Sequence, residues 1–223
     1  MKTLIKKTLR EGYRFKRRVR KALRRMAERL AEPDFPAADP QFPPPLKCMI
    51  AHNQYGMYCV PYSSRHRTAA QRVLAGGVYE PETIAFIRAN CGEGDIVHAG
   101  MYFGDFLPGI AGGCAPGARV WAFEPNPENF RCASMTARLN GLANVEMTNA
   151  GLGAKHDTLV VQTSDKKGRA LGGRSEIKRT EAGAHAPGTE PVEIVSIDEI
   201  VPEDRHVAIV QLDVDRDRGE DDA

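Results

Sequence analysis

From Asp95 onward, short apolar runs alternate with longer stretches whose apolar positions recur every three or four residues. "DIVHA", "ARVWAF" and "NVEMTNA" read as buried strands, and "PENFRCASMTARLNG" between the last two reads as a helix. Another helix opens within "GDFLPGIAGG". Strands alternating with helices predict parallel βαβ units with right-handed crossovers. "TLVVQT" and "VEIVSI" are further strands, and the apolar "HVAIVQLDV" is expected to be central and parallel. The polar, glycine-rich stretch over 164–190 reads as a mobile loop or lid.

Before Asp95 the pattern is looser. "CMIAHNQYGMYCVP" predicts a hairpin around Gly56, "SSRHRTAAQRVLAGG" a helix with a serine N-cap, and "PETIAFIRANCGEGD" a helix from Pro81 to about Gly92. Six prolines from Pro33 to Pro45 forbid helix or central strand and mark a linker. In the first thirty residues Phe15, Val19, Leu23, Met26 and Leu30 share one helical face. The expected organisation is an amphipathic helix at 1–31, a linker at 32–46, a strand and helix cap at 47–94, a core at 95–214 and an acidic tail at 215–223. The fold class is α/β, a mostly parallel Rossmann-like sheet with helices on both faces.

Charge divides the chain in the same way. The net charge of the 223 residues is +2. Residues 1–30 carry thirteen Lys and Arg against Glu11 and Glu28, so the remainder is acidic. A basic amphipathic helix fits an anionic membrane surface or an acidic partner, or packs its stripe on its own domain. No aromatic interleaving favours nucleic acid. The five cysteines are odd in number and scattered, without metal-ligand spacing, which predicts reduced thiols in a cytoplasmic, at most membrane-peripheral protein and no metal. No stretch approaches a membrane span.

The chemistry concentrates after the first strand of the core. Gly100 and Gly104 allow a tight turn and close ligand approach, and Glu124, twenty residues on at the end of the next strand, suits both hydroxyls of a ribose. Tyr102 fills the place where a dinucleotide fingerprint has its middle glycine, so a diphosphate fits poorly, and no P-loop exists. A nucleoside ligand without phosphate, S-adenosylmethionine, meets both conditions.

The blocks "GVYEPETIAFI", "GDIVHAGMYFGDF", "ARVWAFEPNPENF", "LNGLANVEMTNAGLG" and "VSIDEI…VAIVQLDV" resemble, in order, those of the FkbM family of S-adenosylmethionine-dependent methyltransferases, over roughly residues 77–214. The resemblance implies O-methylation of a sugar or glycan-like hydroxyl. It implies that His98, Gly100 and Gly104 form the first cofactor motif, that Glu124 binds the ribose beside Asn126, that Asn149 and Ala150 close over the adenine, and that Glu80 approaches the methionine end. His98 stands where the family usually has an acid; a neutral imidazole can accept from an ammonium or a water but supplies no fixed charge. Asp213, at the exit of the last strand, is the candidate catalytic base. After "QLDV" the sequence departs from the family into "DRDRGEDDA". That departure predicts a truncated chain, marginally stable and weakly active, with a free apolar strand edge open to aggregation or homodimerisation. The alternatives to the enzyme are a cofactor-binding fragment with impaired turnover and an adaptor acting through the basic helix.

Overall fold

The computed structural model describes residues 45–164, 176–178 and 188–212. The basic helix, most of the linker, most of the expected lid, Asp213 and the acidic tail lie outside the described residues. Fifteen elements follow one another among the described residues. These are β1 (Cys48–Asn53), β2 (Gly56–Pro61), α1 (Thr68–Leu74), α2 (Pro81–Asn90), β3 (Asp95–Ala99), α3 (Leu107–Ala111), β4 (Val120–Phe123), α4 (Pro127–Leu139), β5 (Val145–Thr148), β6 (Gly151–Leu152), β7 (Asp157–Gln162), β8 (Glu176–Lys178), β9 (Thr189–Val195), α5 (Ile197–Ile200) and β10 (Val207–Leu212).

Four strands form the central sheet in the order β10-β3-β4-β5. All three pairings are parallel. Every residue of β3 and β4 is buried, Asp95 and His98 included, as in a parallel strand pair with both faces covered. Alternation divides their side chains between two cores. Ile96, Val120 and Ala122 pack with Ile84 and Ile87 of α2, Leu107 and Ile110 of α3 and Ala133 of α4. Val97, Ala99, Trp121 and Phe123 turn the other way, onto Ala150, Val195 and Val201. At the start of β3, Asp95 is 1% exposed and accepts from Arg119 N, Trp121 Nε1 and both Arg205 Nε and Nη2. Burial opposes its charge, but the bonds from Arg205, Trp121 and Arg119 prevail and hold its carboxyl below the usual carboxylate range.

Two expectations need correction, and one pairing was not foreseen. β7 and β9 do not extend the central sheet: they pair antiparallel in a second sheet ordered β6-β9-β7-β8, with β8 drawn from the stretch read as a lid. Alternation within "TLVVQT" marks a strand but cannot choose its sheet. β10 is parallel, as expected, but it is outermost rather than central among the described strands, leaving Val210 and Leu212 about half exposed. The helix of "SSRHRTAAQRVLAGG" starts later than its serines, with Arg67 at the N-cap and no side-chain cap bond. Ser64 is instead fully buried, accepting from the Tyr102 hydroxyl at 2.6 Å.

Candidate active site

The carboxyl ends of the parallel strands form one edge, with Leu212, Ala99, Phe123 and Thr148 in register. At this edge the chain leaves β3 through a turn that three left-handed residues make, Gly100 (φ 79°), Tyr102 (φ 52°) and Gly104 (φ 80°). The amides of Gly100 and Met101 both donate to Phe123 O, at 2.9 and 3.1 Å, so the turn is bonded to the end of β4. A Cβ on Gly104 would come within 3.1 Å of Leu107 Cδ1 and 3.4 Å of the backbone of Ala133, so the glycine also lets α4 approach.

Glu124, one residue past β4, is the hub of this edge. It is 4% exposed. Oε2 accepts from Tyr102 N at 2.9 Å, and Oε1 accepts from Asn126 N at 2.9 Å and Asn129 Nδ2 at 3.3 Å. One carboxylate thus ties the β3 turn to the start of α4 and compensates Tyr102 for its strained backbone. Asn126 caps α4, its Oδ1 accepting from the amides of Glu128 and Asn129, with Pro127 as first helical residue. Asn149 braces the same segment by donating from Nδ2 to Glu124 O at 2.7 Å. Ala150 is buried beneath, against the core of Phe123 and Trp121.

His98 is 2% exposed, in β3 between β10 and β4. Nδ1 meets Oε1 of Gln211, its register partner on β10, and the ring stacks on Phe106 with centroids 5.5 Å apart. Nε2 is buried without a hydrogen-bond partner. Burial pushes its pKa down to about 4, only partly opposed by Gln211. The imidazole is therefore neutral and a weak base, and both of its edges are enclosed by protein. Glu80 is exposed at the N-cap of α2 with φ 45°, accepting from Thr83 Oγ1 at 3.1 Å, and no hydrogen bond joins it to the Glu124 group.

The structure thus gathers Gly100, Gly104, Glu124, Asn126, Asn149 and Ala150, with His98 just beneath the turn and Glu80 bonded elsewhere. It adds Asn129 and Asp105, which sequence reasoning left without a role, and gives Tyr102 and Ser64 roles other than those the sequence suggested. Asn129 and the Tyr102 amide hold Glu124, Ser64 anchors the Tyr102 hydroxyl, and Asp105 is a buried acid whose charge, after burial, helps push the Tyr58 hydroxyl up to about 12. The signal for Asp105 was a charged residue directly after the second glycine of the turn.

The family model of the Methyltransferase FkbM domain matches residues 98–215, more than half of the chain. The chain belongs to the FkbM methyltransferase family. The FkbM match takes in His98, the glycine turn, Glu124, Asn149 and all of β10, and leaves Glu80 outside. No curated protein matches the chain. Among solved structures, a complex of aTrm5 with tRNALeu is similar at 11% identity, covering 66% of this chain with a TM-score of 0.32; the similarity spans about half of that chain's length. No described helix is long and apolar enough to cross a membrane.

Proposed function

We propose that this FkbM domain transfers a methyl group from S-adenosylmethionine to a hydroxyl of a sugar or glycan-like acceptor. The observation that carries the reading is the bonding of a positive-φ glycine turn to a buried acid at the exit of the next parallel strand. The residues suit a nucleoside without phosphate. Tyr102 fills the place a diphosphate would need, and Glu124 is an acceptor suited to a ribose diol. The cofactor would supply an electrophilic sulfonium methyl.

Glu124 would take the ribose hydroxyls, exchanging the 3.3 Å contact with Asn129 for a ligand hydroxyl. Gly100 would keep a side chain out of the ligand's path, Gly104 lets α4 pack against the turn, and Ala150 with Asn149 would flank the adenine. Asp213, which follows Leu212 in sequence, is the carboxylate assigned to removing the acceptor hydroxyl proton. His98 is excluded from that role by its burial and its pKa of about 4.

Calorimetry with S-adenosylhomocysteine tests the reading. Two charge-assisted ribose bonds at about 1.5 kcal/mol or more each make Glu124→Ala weaken binding at least about a hundredfold, with Glu124→Gln between the two. Thermal unfolding run in parallel confirms that each variant is folded. Equal affinity in wild type and folded Glu124→Ala, or tighter binding of NAD, overturns the assignment. Radiolabelled methyl transfer to a panel of glycans then tests the acceptor class.

A further inference from the structure

Five of the eight large apolar side chains that stand exposed among the described residues lie at the β1–β2 hairpin and at the end of α4 bonded to it. Met49 and Ile50 are on β1, and Met57 is on β2. Asn140, just past α4, accepts from Met57 N at 2.9 Å and donates to Met57 O at 2.6 Å, so Leu139 and, one turn earlier, Met135 border the hairpin. Among the described residues β1 pairs with β2 alone, has no charged residue from Cys48 to Asn53, and leaves Ile50 55% exposed. An exposed apolar patch rich in methionine suits a soft, adaptable partner. The charge around it is basic. Residues 45–79 hold Lys47, Arg65, Arg67 and Arg72 and no acid, whereas residues 80–223 hold fourteen Lys and Arg against twenty-four acids. The described chain begins at residue 45, three residues before β1, so the hairpin is the part of the domain that continues directly in sequence from residues 1–44. Residues 1–30 carry thirteen Lys and Arg against two acids, a net +11, with Phe15, Val19, Leu23, Met26 and Leu30 recurring at helical spacing among them.

We propose that the protein binds the surface of anionic bilayers, drawn by the basic segment 1–30 and seated through Met49, Ile50 and Met57 of the hairpin. Anionic headgroups attract the Lys and Arg side chains, and the boundary between headgroups and acyl chains takes up the apolar ones. A nucleic acid or an acidic protein would satisfy the cations but leave the apolar hairpin side chains in water. The acid excess after residue 79 is repelled by the same surface, so the charge asymmetry turns the basic, apolar end of the domain toward the lipid. Lys47 and Arg138, both exposed, add cations beside the apolar patch. Lipid binding of this kind needs no cofactor and stands apart from the methyl-transfer site.

The test is flotation of the full chain with vesicles of phosphatidylcholine alone or mixed with phosphatidylserine. Binding is expected on the mixed vesicles and is expected to fall steeply as salt is raised. Arg14→Gln, Lys16→Gln, Arg17→Gln and Arg18→Gln combined are expected to weaken it about a hundredfold or more, at about fivefold for each lost charge. Thermal unfolding checks that each variant is folded. Ile50→Trp, read against the wild-type background of Trp121, is expected to be quenched on mixed vesicles carrying brominated phosphatidylcholine. Phe86→Trp, at an exposed position of α2 beyond Glu80, is expected to keep its fluorescence. The proposal is overturned if the two vesicle compositions bind alike or not at all, if the four-charge variant floats as the wild type does, or if Ile50→Trp is quenched no more than Phe86→Trp. It is overturned equally if duplex DNA or RNA binds the full chain more tightly than the mixed vesicles do, which would make the basic segment a nucleic-acid arm.

Discussion

Acid should destabilise this fold through His98 in a window that its burial defines. The folded-state pKa is about 4 against 6.5 for the free side chain. Above pH 6.5 the imidazole is neutral in both states, so the full stability is present. Below it the unfolded chain takes up a proton that the folded chain refuses, and stability falls by about 1.4 kcal/mol per pH unit until the folded pKa is reached. The loss reaches about 2 kcal/mol at pH 5 and about 3 kcal/mol at pH 4. The assay is urea unfolding of wild type and His98→Gln at pH 7.5, 6 and 5. The other five histidines and the carboxylates titrate alike in both proteins, so the difference between the two curves isolates His98. His98→Gln is expected to lose about 2 kcal/mol less than wild type between pH 7.5 and 5, whatever its starting stability. Parallel curves would show that the ring opens to solvent or gains a partner for its proton, and would refute the reasoning.

Asp95→Asn should cost about 3 kcal/mol in urea unfolding, because it removes a buried charge that satisfies Arg205, Trp121 and the Arg119 amide together. Gly104→Ala should cost about 1–2 kcal/mol from its φ of 80° alone, and more if Ala133 cannot move, read as a lowered thermal midpoint. Asn126→Ala should cost about 1 kcal/mol through loss of the α4 cap. Asp213→Asn should lower kcat of methyl transfer about a hundredfold or more while leaving S-adenosylhomocysteine affinity unchanged, a split that calorimetry and radiolabel transfer read separately.

The central fold was legible because its signals are local and agree with one another. "DIVHA" and "ARVWAF" carry apolar side chains on both faces, and "PENFRCASMTARLNG" opens on a proline after a capping asparagine. What escaped was pairing at long range. Nothing in "TLVVQT" or "VEIVSI" says which strand lies alongside, and the antiparallel partnership of β7 with β9 joins residues from Gln162 with Thr189 to Asp157 with Ile194, far apart in sequence. The serine cap failed for a similar reason: Ser64 satisfies its hydroxyl on Tyr102, thirty-eight residues away, in preference to the nearby helix amides.

Within the site, glycines and acid were readable as a motif, yet their connection was not. Spacing placed Glu124 at the exit of β4 and offered it to a ligand. The structure shows the same carboxylate already engaged by Tyr102, Asn126 and Asn129, so binding there competes with internal bonds. That competition gives Glu124 two duties that its substitutions separate. A glutamine amide keeps one acceptor oxygen, so it can hold the Tyr102 amide or the Asn126 amide but turns an NH2 donor toward the other, and it loses the charge that strengthens bonds from ribose hydroxyls. Glu124→Gln should therefore keep one of the two backbone bonds and lose less thermal stability than Glu124→Ala, while both lose affinity for S-adenosylhomocysteine. If Gln and Ala lower stability equally and leave affinity unchanged, the carboxylate is a brace for the turn and the ribose contact belongs to another residue.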